Sequence, residues 1–281
     1  DIDIFSKQVA APIIAVTGSN GKSTVVAMLA EILTKAGKKF GLGGNLDGDN
    51  FKPALDLLAE DEKDLYLLEL SSFQLETTQN LGAAVGTILN LSADHMDRYE
   101  GIDDYRRAKQ RIFNGCKQVV INRDDKESSP LVESDAAVWD FGFGRAGLNG
   151  LGVLEEGGDL YLAYQLEKIV SVNELKVFGQ HNISNVLAAV ALSMAIGIDM
   201  NAIKAAITEF SGLPHRCQWV ANIDGVDFYN DSKGTNVGAT VAAVEGLGEH
   251  ISGHIVLIAG GIAKGANFTA LVPAMNKWGK A

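Results

Sequence analysis

The most constraining feature of this sequence is an apolar run that leads through a glycine-rich turn into a helix near the start of the chain. The run covers residues 11–16, and it has the length and composition of a buried strand. Gly18 and Gly21 punctuate the turn, residues 23–36 carry apolar side chains at helical spacing, and Gly37 ends the helix. A buried strand followed directly by a helix is the repeating unit of α/β folds.

The same alternation continues along the first half of the chain. Apolar runs at 65–70, 84–91 and 119–122 predict three more strands, and helical segments lie between them, including residues 102–114. This order of elements predicts an α/β fold in which a mostly parallel sheet is flanked by helices on both faces.

The texture of the sequence changes after the fourth strand. Glycine-rich turns separate short runs over residues 141–177, which predicts a β-rich extension of the sheet. Helices are then predicted at 182–196 and 201–209. We expect these elements to complete a first domain that covers residues 1–212.

A second unit is predicted over residues 213–281. Its elements are a hairpin at 219–229 with a turn near Asp224-Gly225, a helix at 236–245 and a buried strand at 255–259. This pattern predicts the start of a second, Rossmann-like α/β domain that follows a hinge at 213–216.

Composition excludes several classes of protein. The net charge of −11 argues against a nucleic-acid partner, because binding to a phosphate backbone requires a basic surface. No apolar run reaches the roughly 18 residues that a membrane-spanning helix needs, and no secretory signal is visible. We therefore expect no membrane association. The two cysteines match no metal-ligand spacing, so we expect free thiols and a cytoplasmic location.

The turn after the first strand has the composition of a phosphate-binding loop. Its sequence is Thr-Gly-Ser-Asn-Gly-Lys-Ser-Thr over residues 17–24. Backbone N–H groups of such a loop cradle phosphate oxygens, Lys22 can reach the terminal phosphates, and the Ser23 hydroxyl can bind Mg²⁺. The strict pattern requires glycine where this chain has Val16, so a glycine-rich turn without a ligand is the alternative.

Three more side chains are candidates for chemistry at the same edge of the sheet. Glu69 ends the second predicted strand, where a carboxylate is well placed for Mg²⁺, although a solvated surface glutamate is the alternative. His95 follows the third strand and could bind a metal through a neutral ring nitrogen, but a lone histidine is more often a structural side chain. Lys109, taken alone, is an exposed helix lysine.

Several blocks together resemble the ATP-dependent Mur ligases of bacterial cell-wall synthesis, over about residues 12–268. Besides the phosphate loop, which is also similar to that of folylpolyglutamate synthetases, they are Glu-Leu-Ser-Ser-Phe-Gln at 69–74 and Asn-Leu-Ser-Ala-Asp-His-Met-Asp at 90–97. Others are Tyr-Arg-Arg-Ala-Lys at 105–109 and Gly-Gln-His-Asn-Ile-Ser-Asn at 179–185. The last two are Leu-Pro-His-Arg, which ends at Arg216, and Asn-Asp-Ser-Lys-Gly-Thr-Asn, which ends at Asn236.

The resemblance implies an ATP- and Mg²⁺-dependent ligase that adds D-glutamate to UDP-N-acetylmuramoyl-L-alanine through an acyl phosphate. It implies a central ATP-binding domain and no covalent enzyme nucleophile. The residues implied in catalysis are Lys22, His95 and Lys109. The implied metal ligands are Ser23, Glu69, His95 and Lys109, the last as a carbamate.

The same resemblance assigns residues to the nucleotide and to the two substrates. The nucleotide-binding set is Gly18, Asn20, Gly21, Lys22, Ser23, Thr24, Asn182, Asn185, Arg216, Asp231 and Lys233. The substrate-binding set is Asn45, Ser71, Gln74, His215, Thr235, Asn236 and Lys264. From the sequence alone, Asn182 is also a candidate N-cap of its helix.

Two departures from the family pattern stand out. Where the family has Gly-Asn-Ile-Gly, this chain has Gly-Asn-Leu-Asp-Gly at 44–48, and Ile262 replaces an acidic residue. The resemblance also implies a uridine-binding domain before residue 1 and further C-terminal sequence after residue 281. We expect a monomer, and the alternatives are another ligase of the superfamily or a nucleotide-binding module without catalysis.

Overall fold

A computed structural model of the chain describes residues 1–45, 52–131, 135–249, 251–263 and 266–280. It contains one nine-stranded sheet flanked by helices and a separate two-stranded hairpin. The predicted α/β fold with a mostly parallel sheet is therefore confirmed.

Six parallel strands form the main part of the sheet. In chain order they are β1 (Ile13–Thr17), β2 (Phe40–Gly44), β3 (Leu65–Glu69), β4 (Val85–Ile88), β5 (Gln118–Asn122) and β6 (Ala137–Phe141). Their order across the sheet is β2-β3-β1-β4-β5-β6, so β1 lies between β3 and β4. All four predicted strands are confirmed, and β2 and β6 are additional.

The predicted β-rich extension is confirmed as three further strands. They are β7 (Gly150–Glu156), β8 (Asp159–Tyr164) and β9 (Glu167–Ser171). β7 pairs with β6 in parallel, and β8 and β9 follow as antiparallel neighbours. Gly157 and Gly158 both have positive φ, as the tight turn between β7 and β8 requires.

Helices cover both faces of the sheet. Those that the structure describes are α1 (Ile2–Gln8), α2 (Lys22–Lys35), α3 (Ser72–Glu76), α4 (Ile102–Gln110), α5 (Gln180–Ala195), α6 (Met200–Glu209), α7 (Val237–Gly248) and α8 (Leu271–Trp278). Within the described part of the chain, none of these helices is both long and apolar enough to cross a membrane.

Alternation along the central strand separates two hydrophobic cores. Ile14 and Val16 of β1 belong to the core that contains α2, α5 and α6. Ile13 and Ala15 belong to the core on the opposite face, which includes Phe5 of α1. Full burial of each large aliphatic side chain contributes about 1.5–3 kcal/mol, so β1 and the loop that follows it are held firmly between two layers.

The first elements after the predicted hinge form as expected. The hairpin consists of β10 (Gln218–Ile223) and β11 (Val226–Asn230), and Asp224 and Gly225 in its turn both have positive φ. α7 then begins after Asn236, whose side chain accepts a hydrogen bond from the Ala239 N–H.

The predicted strand at 255–259 is wrong. Ile255 makes only an isolated bridge to Gly279, and the side chains of Val256 and Ile258 are 74% and 92% exposed. A parallel strand is stable when partners pair with it and both faces are covered, and the described residues after 213 supply neither. This part of the chain therefore shows a hairpin and helices, and no second parallel sheet is seen among its described residues.

Candidate functional site

Three loops meet at the carboxyl edge of the parallel sheet because β3, β1 and β4 are neighbours. The phosphate loop follows β1, Leu70 and Ser71 follow β3, and Asn90 lies in the loop after β4. The Ser19 N–H donates to the Asn90 carbonyl at 3.0 Å, which joins two of these loops directly. Ligands of parallel sheets bind at this edge, and the phosphate loop, Ser71 and Asn90 lie there.

Glycine is required at the start of α2. Gly21 has a φ of 82°, and a Cβ atom there would lie 2.3 Å from the Asn185 side-chain oxygen. Gly18 also has positive φ and packs against Leu89. Lys22 curls back and donates to the carbonyls of Gly18 and Ser19 at 2.9 and 3.2 Å. The loop is thus a compact structure at a helix N-terminus, where an anion is stabilised.

Polar side chains fix the loop to its neighbours. The Ser19 hydroxyl accepts from the Ser92 N–H at 2.9 Å and lies 3.1 Å from the Tyr105 hydroxyl. Asn20 and Asn90 bond reciprocally, with the Asn20 N–H donating to the Asn90 side chain at 2.9 Å and the Asn90 amide donating back at 3.0 Å. The phosphate loop, the β4 loop and α4 therefore hold one another in place.

Glu69 is a buried carboxylate beside the phosphate loop. It is 2% exposed, so it is not the solvated surface glutamate of the alternative interpretation. Burial raises its pKa, while the Lys22 charge and hydrogen bonds from Ser23 and Asn45 lower it. Its Oε2 atom has no hydrogen-bond partner among the residues that the structure describes. An oxygen in this state calls for a ligand, because an unpaired buried polar atom is costly.

Lys109 is buried beneath the phosphate loop, so it is not an exposed helix lysine. It is 2% exposed, and its Nζ donates to the Thr17 hydroxyl at 3.1 Å and to the Gly18 carbonyl at 3.0 Å. Burial, helped by the nearby Lys22 charge, places its pKa well below the usual range. A lysine that loses its proton easily is a nucleophilic amine.

His95 occupies a backbone conformation that is uncommon for a residue with a side chain. Its φ is 56°, its N–H donates to Asp94 at 3.0 Å, and its ring packs against Phe73 with centroids 4.9 Å apart. Among the described residues, no three or more His, Cys, Asp or Glu side chains are arranged to hold a metal. The predicted ligand set contains only two side chains of these types, Glu69 and His95, so this absence has no bearing on it.

Asp94 is a site residue that the sequence reasoning missed. Burial lowers the pKa of Lys22 and of Lys109, and the negative charge of Asp94 opposes this lowering at both lysines. One of its oxygens lies 3.7 Å from His95 Nε2. The signal was its position next to His95 in the same block.

The predicted substrate contacts on α3 bond to one another. The Ser71 hydroxyl accepts from the Gln74 N–H at 3.2 Å, and the Gln74 side-chain oxygen accepts from the Ser71 N–H at 3.0 Å. This capping box fixes the start of α3 at the site. Asn45 is exposed at the end of β2, with its N–H bonded to the Glu69 carbonyl at 2.8 Å, and residues 46–51 of the departing loop lie outside the described residues.

The two predicted asparagines of α5 lie beside the loop in different roles. Asn185 is buried against Gly21, whereas Asn182 donates its side-chain amide to the Phe178 carbonyl at 2.8 Å. The prediction that Asn182 caps the helix is wrong, because α5 begins two residues earlier and its N-cap is Gly179. The φ of 86° at that position favours glycine over asparagine as the residue that turns the chain.

Two residues beyond 213 reach the phosphate loop. Arg216 donates to the Ser23 hydroxyl at 3.0 Å, and the Asn236 amide donates to the Asn20 side-chain oxygen at 2.9 Å. These contacts place the Arg216 and Asn236 side chains at the phosphate loop.

The remaining predicted residues of this part form a local cluster. His215 has a φ of 63° and its Nδ1 lies 2.9 Å from the Asn230 amide. Burial raises the pKa of Asp231, which accepts from the Cys217 N–H at 2.9 Å, and the Lys233 N–H donates to the His215 carbonyl at 3.1 Å. Thr235 is exposed, and Lys264 lies outside the described residues.

A parallel sheet with a phosphate loop on its central strand defines a nucleotide-binding α/β domain, and comparison with known proteins places it more narrowly. The family model described as the Mur ligase middle domain matches residues 16–193. The chain belongs to the Mur ligase family.

Two relatives illustrate how similar the sequences are. The chain is 54% identical over 271 residues to a UDP-N-acetylmuramoylalanine–D-glutamate ligase of Pseudomonas savastanoi pv. phaseolicola, covering 96% of the chain and 59% of the relative. It is 52% identical over 268 residues to the protein of the same name in Pseudomonas aeruginosa, covering 95% of the chain and 59% of the relative. The chain thus spans about three fifths of the length of these relatives.

Solved structures show the same fold at lower identity. MurF from Acinetobacter baumannii superposes with a TM-score of 0.69 at 22% identity, covering 88% of this chain and 56% of that one. UDP-N-acetylmuramate–alanine ligase MurC from Thermotoga maritima gives 0.64 at 21% identity, covering 88% and 56%.

Proposed function

We propose that this chain carries the nucleotide site of an ATP-dependent ligase that joins D-glutamate to UDP-N-acetylmuramoyl-L-alanine in peptidoglycan precursor synthesis. The observation that carries the proposal is the likeness, at over 50% identity across 96% of the chain, to proteins named for that ligation. Its support in the structure is that Lys22, Glu69 and Lys109 lie at or beside the phosphate loop, with Arg216 bonded to the Ser23 hydroxyl.

ATP is the proposed nucleotide, and the phosphate loop is its binding site. N–H groups at the start of α2 would bind phosphate oxygens, and Lys22 would leave its two carbonyl acceptors for the terminal phosphate. Arg216 would move from the Ser23 hydroxyl to a phosphate, adding positive charge where negative charge develops during transfer. Asn182 and Asn185 would line the nucleotide at the start of α5.

Mg²⁺ is the proposed metal because the available donors suit it. Mg²⁺ prefers oxygen ligands, and Glu69 Oε2 is a buried carboxylate oxygen without a partner in the described part of the chain. Glu69 and the adjacent Ser23 hydroxyl would hold the ion, with His95 as a further ligand. When bound, Mg²⁺ supplies positive charge that neutralises the phosphates during transfer.

Lys109 is proposed to act as a carbamate. Its neutral amine would attack CO₂, forming an N–C bond and releasing one proton, and the product is a carboxylate in place of a cation. Burial disfavours the cation and so supplies the neutral amine that reacts with CO₂, and the nearby positive charge of Lys22 would stabilise the carbamate.

The reaction needs no covalent enzyme intermediate. The substrate carboxylate would attack the γ-phosphorus, giving an acyl phosphate and ADP, and the amine of D-glutamate would displace phosphate to form the amide. Asn45, Ser71 and Gln74 would contact the substrate that carries this carboxylate. His215, Thr235, Asn236 and Lys264 would serve the nucleotide and the amino acid from the second unit, for which we propose a boundary between 212 and 213.

The compartment and the assembly state complete the proposal. Because the reaction consumes ATP and the described cysteines are free thiols, we place it in the cytoplasm. We also propose that the protein is a monomer.

The proposal is tested by restoring the length of the relatives. Residues 1–281 would replace the matching segment of the Pseudomonas savastanoi ligase, and phosphate release from Mg-ATP would be followed with UDP-N-acetylmuramoyl-L-alanine and one amino acid at a time. We expect release with D-glutamate and none with L-glutamate, L-lysine or diaminopimelate. Release with a different amino acid would favour another ligase of the family, and nucleotide binding without release would favour a non-catalytic module.

A further inference from the structure

Phe73 is an aromatic residue in the first turn of α3 whose side chain stays 40% exposed at the carboxyl edge of the sheet. It belongs to none of the hydrophobic cores among the described residues. Single exposed apolar residues are common, so exposure alone carries no argument. Its aromatic and cation–π contacts among the described residues carry one, because these contacts all involve one loop.

Three side chains of the loop after β4 surround the Phe73 ring. The His95 ring lies 4.9 Å away at 59°, and the Tyr99 ring stacks at 6.3 Å. The Arg98 guanidinium lies 4.7 Å from the ring centre. Contacts of these kinds are favourable beyond the area that they bury.

A second residue of the same helix, Glu76, also bonds to the loop. Glu76, three residues after Phe73, accepts from Arg98 at 2.6 Å and from the Tyr99 hydroxyl. α3 therefore contacts the loop at two points, through the Phe73 ring and through the Glu76 carboxylate. Arg98 and Tyr99 contact both the Phe73 ring and Glu76. His95 contacts the ring, and no hydrogen bond joins it to Glu76 in the described part of the chain.

The backbone of His95 is fixed independently of its side chain. Its carbonyl accepts from the N–H groups of Arg98 and Tyr99 at 2.9 and 3.2 Å, and its φ is 56°. The side chain is 38% exposed, its ring packs against the Phe73 ring, and its Nε2 lies 3.7 Å from the Asp94 carboxylate. Without the ring, one wall of this space would be open to water.

We propose that Phe73 is a positioning residue for His95: its ring restricts the imidazole to one rotamer and so presents the ring nitrogens to the site in a fixed direction. The inference rests on the proposed function, in which His95 is a metal ligand. Outer contacts that orient a ligating histidine strengthen metal binding, because less rotational freedom is lost when the metal arrives.

The first test is nuclear magnetic resonance on the 281-residue chain without metal. Three-bond couplings of His95 should report one χ1 rotamer in the wild-type chain and an average of rotamers in Phe73→Ala. Phe73→Tyr should restore the single rotamer, while Phe73→Leu, which keeps apolar volume without a flat ring, should restore it only in part. Phe143→Ala is the matched control, because Phe143 is 37% exposed and follows β6, which lies four strands away from β3 in the sheet.

The second test is Mn²⁺ affinity of the same chains in the presence of ATP, measured by electron paramagnetic resonance. We expect Phe73→Ala to weaken binding roughly two- to tenfold, the cost of immobilising one side chain, and Phe143→Ala to leave it unchanged. Unaltered His95 couplings in Phe73→Ala would overturn the inference. An unchanged affinity in His95→Ala would instead count against the proposed metal role, and the couplings would still decide whether Phe73 positions the ring.

Discussion

Apolar runs are buried at the phosphate-loop edge of the sheet but exposed in the segment after residue 213. At the edge, Ile14 and Val16 of the central strand β1 are fully buried. In the later segment Val256 and Ile258 are mostly exposed although their sequence is as apolar as that of β1. The difference teaches that an apolar run becomes a buried strand only where neighbouring strands and two helical layers receive it.

The largest expected effect contrasts one aliphatic residue from each region. Ile14→Ala removes a fully buried side chain from the central strand and should lower the free energy of unfolding by about 2–5 kcal/mol. Ile258→Ala changes a side chain that is 92% exposed and should stay within about 0.5 kcal/mol. Urea unfolding of both variants measures the contrast, and equal losses would contradict it.

The second prediction concerns glycine at the phosphate loop. Gly21→Ala combines positive φ with a Cβ 2.3 Å from the Asn185 oxygen, and should cost about 1–3 kcal/mol of stability. Because the same strain distorts the loop that would bind phosphate, the substitution should also weaken ATP binding at least tenfold. A tenfold loss of affinity corresponds to about 1.4 kcal/mol of binding free energy. Gly37→Ala is the control, because φ there is also positive but no atom lies within 4 Å of the added carbon. Calorimetric titration with ATP should show normal affinity in that control.

The third prediction uses the lowered pKa of Lys109. Between that pKa and 10.5 the unfolded chain binds more protons than the folded chain, so this lysine makes stability rise with pH. Lys109→Met should remove that part of the rise, while the similar contribution of Lys22 remains. Unfolding free energies measured from pH 7 to 10 in CO₂-free buffer test this, and identical slopes in the two proteins would refute it.

The smallest expected effect probes the contact between the two regions. Asn236→Asp keeps the oxygen that caps α7 but loses the amide that donates to Asn20, so stability should fall by about 0.5–1.5 kcal/mol. Asn267→Asp is the matched control, because Asn267 caps a short helix in the same way. The difference between the two variants in thermal unfolding isolates the contact with Asn20.

The strand–loop–helix unit could be predicted from the sequence because its signals are local. The apolar run indicates the strand, and the glycines mark the turn and the end of the helix. Sequence reasoning missed β2, whose residues Phe-Gly-Leu-Gly-Gly contain too much glycine to show a strand pattern, although pairing with β3 forms the strand. It could not predict the burial of Lys109, because helix spacing does not show which loop packs over a lysine. The family resemblance supplied that residue, and the structure supplied its environment.

The reciprocal hydrogen bonds between Asn20 and Asn90 have a kinetic consequence. A loop that is already tied to its neighbours does not have to fold around an arriving nucleotide, so the association rate constant should be set by encounter. Differences in affinity among nucleotides should then appear in their residence times, and stopped-flow mixing with ATP and ADP would show similar association and unequal release.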